Sequence, residues 1–518
     1  MNYRLPLRKG RRNFLMGAGA LAGLAIVAQA RPLIAQVQFS AYPFSLGVAS
    51  GDPLPDSVVL WTRLAPDPLN GGSMPSVNVP VQWQIATDPD MRQVVQQETT
   101  IATPELAHSV RIVVNGLQPG RWYWYQFKVG NEYSPIGRTR TAPAANRPVS
   151  QLNFAFASCQ DWQNGFYPAF RHMAEEDLDF VVHLGDYIYE YGPDPNAPRQ
   201  HNGPETVSLT DYRNRYALYR TDVNLQAAHA AFPWIVTWDD HEVDNNYADA
   251  IPEDDQSRRA FLQRRAAAYQ AYYEHMPLRE FSRPRGPNMQ LYRRFTFGNL
   301  AEINVLDTRQ YRTDQPCGDG IGRRCEEALA ADATMTGTQQ EKWLFRGLDR
   351  SSSRWNIIAQ QTMLAQFDFN PRADGELFNL DQWDGYVAAR DRLLDFLHQR
   401  KPSNPVVITG DIHSSWVHDL KADFNDPGSD IVGTEFVGTS ISSDYPSELI
   451  APVKVALSDN PHTQFFDGAF RGYVRCKLTN EYWQSDYRVV ASILDPNSPV
   501  NTLASFAVED GRPGALPA

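Results

Sequence analysis

Phe180-Val181-Val182-His183-Leu184-Gly185-Asp186-Tyr187-Ile188-Tyr189 is a short apolar run that stops at a glycine and then presents a carboxylate and, three residues on, a phenol. The run does not alternate, so it predicts a strand buried on both faces. The same grammar recurs at Leu152–Ala157, Trp234–Trp238, Glu302–Leu306, Trp355–Ala359 and Val406–Thr409. Helical patterns lie between these runs, for example Arg258–His275 and Thr338–Leu348. Thr338 with Glu341 three residues later reads as a capping box opening the second helix. Strands covered on both faces and interleaved with helices predict a layered αββα or α/β core.

Most of these strands end in side chains able to bind metal, and loops at strand C-termini can close around a cation. Ala157-Ser158-Cys159 offers a thiol, Gly185-Asp186 a carboxylate, and Tyr189 a phenol. Trp238-Asp239-Asp240-His241-Glu242 brings acids and an imidazole to one strand end, an arrangement packing alone does not explain, because buried acids without cations are costly. Asn245 extends that polar loop. Gly410-Asp411-Ile412-His413 alternates, so Asp411 and His413 share a side of an extended segment. Thiolate, carboxylate, phenolate and imidazole together can hold a trivalent iron beside a second, harder cation. Such a pair is suited to attack on phosphate esters.

In this order the motifs resemble those of the PhoD-like alkaline phosphatases, a branch of the calcineurin-like metallophosphoesterases. The wider superfamily carries an early Asp, then Asp-x-x-Tyr, Gly-Asn-His-Glu and Gly-His-x-His. Here Cys159 stands for the first Asp, Asp240 for the Asn, and Asp411 for the first His of the last motif. The resemblance implies ferric iron held by Cys159, Asp186, Tyr189 and His413, and calcium at an oxygen-rich site through Asp240 and Asp411. Asp239, Asn245 and Gln360 are further candidates, Gln360 because relatives outside this branch carry a His ligand there. It also implies hydrolysis by a hydroxide that bridges the metals, with His241 near the phosphate or leaving oxygen. Arg309 and Arg312 are expected either to clamp phosphate or to form structural ion pairs. The implied fold class is α+β: a fibronectin type III-like β-sandwich at 41–145, then a four-layer αββα catalytic domain at 150–490.

The residues support that division. Ser57–Leu64, Val79–Thr87, His108–Val114, Trp122–Val129 and Ile136–Thr141 read as strands separated by Pro, Gly and Asp, and Pro143 to Pro148 as a linker. The segment after Asp495 is rich in Pro, Gly and Ala and is expected to be poorly ordered at 495–518. Five basic residues precede an apolar run from Phe14 to Ala28, and Ala28-Gln29-Ala30 fits a cleavage site, so 1–30 reads as a leader. Arg11-Arg12 resembles the twin arginine of the Tat signal, which implies the Tat translocase as a transient partner and a periplasmic or secreted product.

Removing those five basic residues takes the formal charge from −12 to −17, which disfavours a stable nucleic-acid partner. No other stretch is apolar and long enough for a permanent membrane anchor, and a monomer is the default expectation. Cys317 and Cys325 bracket a Gly-rich loop and are expected to pair in an oxidising compartment. Cys476, in an alternating segment, reads as core. The sequence thus predicts an exported phosphatase and phosphodiesterase that scavenges phosphate. Two competing readings are a dedicated phosphodiesterase acting on cell-wall or lipid diesters, and an extracellular binding protein with structural metals.

Overall fold

In the computed structural model, residues 38–370 and 376–518 are described; the expected leader lies outside them. Two sheets face each other. The first has ten strands, ordered Arg512–Pro517, Val500–Glu509, Tyr482–Val490, Arg471–Thr479, Gln151–Ala157, Phe180–His183, Pro233–Val236, Val48–Leu54, Ser57–Arg63 and Ser109–Asn115. The second has seven, ordered Arg293–Phe297, Ala301–Val305, Trp355–Ala359, Pro405–Thr409, Ile431–Val437, Ser415–Lys421 and Thr463–Asp467. In both sheets the central strands run parallel.

Alternation along the strands builds the layers. Phe154, Phe156, Phe180, Val182 and Ile235 point into the space between the sheets, where they meet Ile303, Val305, Ile357, Val406 and Ile408. Ala155, Ala157, Val181, Trp234 and Val236 point the other way, onto helices Pro168–Glu175, Leu209–Arg220, Val223–Ala231 and Arg258–His275. Ile358 and Val407 of the second sheet pack against Leu344, Leu348, Leu393, Leu394 and Leu397 of helices Gly337–Arg350 and Val387–Arg400. The result is the four-layer αββα arrangement. Phe180 stacks on Phe154 at 5.0 Å and on Phe297 at 4.5 Å, which joins the two sheets through one aromatic column.

Three features differ from expectation. The first concerns 41–145, a β-rich N-terminal domain that shares one of its sheets with the rest of the chain. One of its sheets, Val94–Ala102, Val79–Ala86, Trp122–Val129 and Glu132–Tyr133, stands alone, with Gly137–Arg140 also on Trp122–Val129. The other strands continue the ten-stranded sheet, with Ser50 opposite Pro233 and Gly51 opposite Trp234. A Cβ at Gly51 would lie 2.5 Å from the Trp234 carbonyl oxygen, so this seam requires glycine. Residues Gln38–Ala518 accordingly form one compact unit.

The second concerns the segment after Asp495, which is ordered. It forms a hairpin turned at Gly511 (φ 74°) that extends the sheet and buries Phe506, Val508 and Ala515 between the sheets. Its small residues disguised a strand alternation. The third concerns Thr338, which is not a cap. The helix begins at Gly337, with Thr336 in the cap position and making no side-chain cap bond, while Glu341 is drawn away to Arg392 at 3.0 Å. Arg258–His275 is helical throughout, capped by Ser257 on the Ala260 N–H. Among the described residues no helix is long and apolar enough to cross a membrane.

Candidate metal centre

The parallel strands of both sheets end on the same side, and the loops that follow them converge. Cys159 follows Gln151–Ala157; Asp186 and Tyr189 follow Phe180–His183; Asp239, Asp240 and His241 follow Pro233–Val236; Asp411 and His413 follow Pro405–Thr409. Cys159, Asp186, Asp411 and His413 all have positive φ, between 54° and 64°. Left-handed backbone at non-glycine residues costs on the order of 1–3 kcal/mol each and clusters at functional sites.

Close contacts hold these loops together. A Cβ on Gly185 (φ 119°) would fall 2.5 Å from the Asp239 backbone, and one on Gly410 would fall 2.5 Å from Ser158 Oγ. Buried Glu242 accepts the backbone N–H groups of Asp186 at 3.0 Å, Tyr187 at 2.6 Å and Asp239 at 2.8 Å, tying two loops. Burial and the adjacent Asp186 nevertheless push its carboxyl up to about 8.

At the strand ends, metal-binding atoms gather in three groups, each with its atoms within 4.8 Å of one another: Cys159, Asp186 and His413; Asp186, Asp240 and His241; Asp239, Asp240 and Asp411. Asp186 and Asp240 each belong to two of them, and Asp186 is the one shared with the thiol and His413, the position of a bridge. Tyr189 Oη joins the first group, donating to Asp186 Oδ2 at 2.9 Å and lying 3.1 Å from His413 Nε2. Ser443 Oγ donates to that phenol at 2.7 Å, and the Asp444 carbonyl holds His413 Nδ1 at 2.8 Å.

The donor set fits a pair of cations. Asp186 Oδ1, Asp239 Oδ2 and Asp240 Oδ1 are buried without a hydrogen-bond partner. An unsatisfied buried polar atom costs about 1–3 kcal/mol, and more when it is charged. Burial, with Asp186 beside them, raises the Cys159 thiol and the Tyr189 phenol well above their ordinary values. Burial also raises Asp239 well above the carboxylate range and Asp411 to about 6, against the pull of Arg309. A cation bound here would displace those protons.

Residues the sequence reading passed over complete the site. Glu190, buried, holds His241 Nδ1 at 2.8 Å through one oxygen and the Asn245 N–H at 2.9 Å through the other. The imidazole stacks on Tyr189 with ring centroids 4.2 Å apart. Burial opposes charge on His241, but Glu190, Asp240 and Asp186 outweigh it and raise the group well above its ordinary value. Asp381 pairs with Arg309 at 3.0 Å and with Arg312 at 2.8 Å. It follows the two-residue strand Phe378–Asn379, which is too short to show as a strand in the sequence. Glu190 follows Tyr189 directly and was legible as an acid next to the motif.

Other candidates stand apart. Arg309 is fully buried and is spent on four carboxylates: Asp239, Asp381, Asp411 at 2.5 Å, and Asp240 at 3.6 Å. Arg312 is buried with Asp381 and with the carbonyls of Asn246 and Tyr247. Neither lines the cleft; the surplus of acids draws both guanidinium groups inward, into the ion pairs that were the other of the two expectations. Gln360 Oε1 accepts Trp383 Nε1 at 2.8 Å. Asn245 lines the cleft but directs its Nδ2 to Glu253 at 2.6 Å. Cys317 and Cys325 are disulfide-linked, and the loop they close brings Gly320 to the rim.

The cleft over the cluster has a volume of about 270 Å³. Clefts of about 380 and 530 Å³ lie on the Gln82–Tyr133 sheet face and beside Gln163–Arg471. Neither contains the converging ligands, so chemistry rather than volume marks the site.

Comparison with known proteins shows the family. The profile of the PhoD-like phosphatases matches residues 154–487, and that of the PhoD-like phosphatase N-terminal domain matches residues 28–143. The chain is 52% identical over 516 residues to alkaline phosphatase D of Bacillus subtilis (strain 168), covering 97% of this chain and 88% of that protein. A solved structure described as that of PhoD superposes with a TM-score of 0.90 at 52% identity, covering 93% of each chain.

Proposed function

The chain belongs to the PhoD-like phosphatase family and is a phosphoric ester hydrolase, and from that premise we propose that its reaction takes place at the Asp186-centred cluster with ferric iron and calcium bound. Cys159, Asp186, Tyr189 and His413 would hold the iron. Asp240 and Asp411, with Asp239 beside them, would hold the calcium.

The observation that carries this choice is the charge balance. Once deprotonated, Cys159, Asp186 and Tyr189 bring three negative charges to one group, matching a trivalent ion. Asp239, Asp240, Asp381 and Asp411, set against Arg309 and Arg312, leave two, matching one divalent ion. All-oxygen donors on that side favour calcium or magnesium over zinc.

When bound, the two ions supply the Lewis acidity that lets water attack phosphorus in line. The chain's own groups do the rest. Glu190 fixes the His241 ring through Nδ1 and leaves Nε2 toward the cleft, from which it donates a proton to the leaving oxygen. Glu242 keeps the Asp186 and Asp239 loops at fixed separation. Membership of a phosphatase family removes the support for a purely structural role of the metals. Activity on both mono- and diesters, and export through Tat to scavenge phosphate outside the cytoplasm, complete the reading.

Elemental analysis of protein purified without chelator tests the assignment. About one iron per chain, with calcium, is expected. Zinc in place of iron would overturn the roles given to Cys159 and Tyr189. Rates on aryl monoesters against aryl diesters decide whether the enzyme is general or a dedicated diesterase.

A further inference from the structure

Asp240 is oriented by a residue outside the three ligand groups. The backbone N–H of Asn246 donates to its Oδ2 at 2.7 Å, and Oδ1 is left buried without a hydrogen-bond partner. The direction of that carboxylate therefore depends on how well Asn246, which is left-handed (φ 50°), is itself held. Its carbonyl accepts Arg312 Nη2 at 2.8 Å and Gln315 Nε2. Its side-chain Nδ2 donates to Asp319 Oδ2 at 2.8 Å. Asp319 lies inside the loop that Cys317 and Cys325 close. The tip of that loop is not packed. Cys317, Gly318 and Gly320 all have positive φ, and apart from chain neighbours no atom lies within 4 Å of where a Cβ on either glycine would sit. Asp319 itself is exposed. On its far side the loop is tied to the stretch before Asp381: the Gly320 carbonyl accepts the Leu380 N–H at 2.8 Å, and Ile321–Gly322 pairs with Phe378–Asn379. Asn379 Oδ1 in turn accepts the Asp381 N–H at 3.2 Å. The cross-linked loop thus meets the support of Asp240 on one side and that of Asp381 on the other.

From this chain of contacts we infer that Asp319 and the Cys317–Cys325 disulfide form one positioning unit for Asp240, through which the cross-link raises the affinity of the second cation site. The inference rests on the proposed binding of calcium by Asp240. Opening the cross-link lengthens the free segment and widens the range of positions open to Asp319, so its bond to Asn246 Nδ2 is made less often. Asn246 then loses an anchor, and Asp240 loses its fixed direction. Removing a group that orients a metal ligand typically costs about 10- to 100-fold in metal affinity. Asp319 acts one residue further out than such a group, so the low end, about 10-fold, is expected.

Calorimetric titration with calcium tests this on the iron-loaded enzyme after its calcium has been removed with EGTA. Asp319→Ala should bind calcium about 10-fold more weakly than the wild type, with iron content unchanged. Asp319→Asn keeps an acceptor for Asn246 Nδ2 but gives up the charge, and should bind calcium as the wild type does. Cys317→Ser with Cys325→Ser should also weaken calcium about 10-fold. Adding Asp319→Ala to that pair should weaken it no further, because both changes break the same link. Wild-type calcium affinity in Asp319→Ala, or in the double serine variant, would overturn the inference. So would losses that add in the combined variant, or an Asp319→Asn variant as weak as Asp319→Ala, which would make the effect one of charge alone. Loss of iron together with calcium would show a general loosening of the centre and would overturn it as well. A wild-type enzyme that binds no calcium would instead strike at the proposed cation itself.

Discussion

Replacing Gly410 with alanine adds a single methyl group, and the structure says where it goes. Gly410 has ordinary negative φ, so alanine meets no backbone strain, but its Cβ would sit 2.5 Å from Ser158 Oγ and 2.7 Å from Ser158 Cβ. Ordinary contact is about 3.5–4.0 Å, so one loop must retreat by about 1 Å. Gly410 and Ser158 are the immediate neighbours of Asp411 and Cys159, so the retreat parts a ligand of one cation from a ligand of the other. The stability cost should be modest, about 1–3 kcal/mol for an overpacked site. The catalytic cost should be larger, because a misplacement of about 1 Å can cost on the order of 100-fold. We expect Gly410→Ala to fold, to bind less iron, and to lose about 100-fold in kcat/KM on an aryl phosphate. Ser158→Gly removes both atoms the methyl group meets, so the pair Ser158→Gly with Gly410→Ala should recover much of the loss relative to Gly410→Ala. Wild-type kinetics in Gly410→Ala, or a double variant whose losses simply add, would refute this account of loop spacing.

Further outcomes follow from other contacts. Glu190→Gln should lower kcat about 10- to 100-fold with iron content unchanged, since it weakens the hold on His241 and touches none of the iron ligands; loss of iron in this variant would contradict it. Cys159→Ala should fold yet lose iron and activity together, and retained activity would remove the thiolate from the site. Burial holds His183 and His201 down to about 3 from an ordinary 6.5. Both therefore fold neutral: their contribution to stability is complete above pH 6.5 and is lost as pH falls toward 3. The limiting slope is about 1.4 kcal/mol per pH unit for each, and since the unfolded rings are half protonated at pH 6.5, about 3 kcal/mol should disappear between pH 6.5 and 5. Equilibrium urea unfolding at the two pH values measures this, and equal stabilities would show that neither ring is excluded from protonation. Phe180→Ala removes the middle of the aromatic column between the sheets and should cost about 3–5 kcal/mol in the same assay.

The sequence made the centre of the molecule readable and the edges less so. Runs such as Phe180–His183 and Trp355–Ala359 carry apolar side chains on both faces, a pattern that few structures other than a doubly covered strand satisfy. The polar residues just beyond them stood out because acids and a thiol at buried strand ends need a reason. Val48–Leu54 and Val500–Glu509 were missed because each runs through glycine, serine or alanine and draws its order from a partner strand far away in the chain. The same holds within the site. Asp381 follows a strand of only two residues, and its place is fixed by Arg309 and Arg312, a tertiary fact without local signature. Arg309 shows the converse: its motif position was visible, but which anion it would face depended on how many carboxylates the fold had already brought together.

The ten-stranded sheet also sets a timetable. Gln151–Ala157 lies between Phe180–His183 on one side and Arg471–Thr479 on the other, so its second neighbour lies more than 300 residues downstream. Ser50 and Gly51 likewise wait for Pro233 and Trp234. Such distant pairings fold slowly, and at about 5–20 residues per second the ribosome alone imposes a delay of roughly 15–60 s between making the first of these central strands and its last partner. During that interval the unpaired edge of Gln151–Ala157 is a hazard for association with other chains. An export route that accepts only the finished fold, as proposed for this enzyme, would have to hold back a leader that emerged from the ribosome long before the sheet could close.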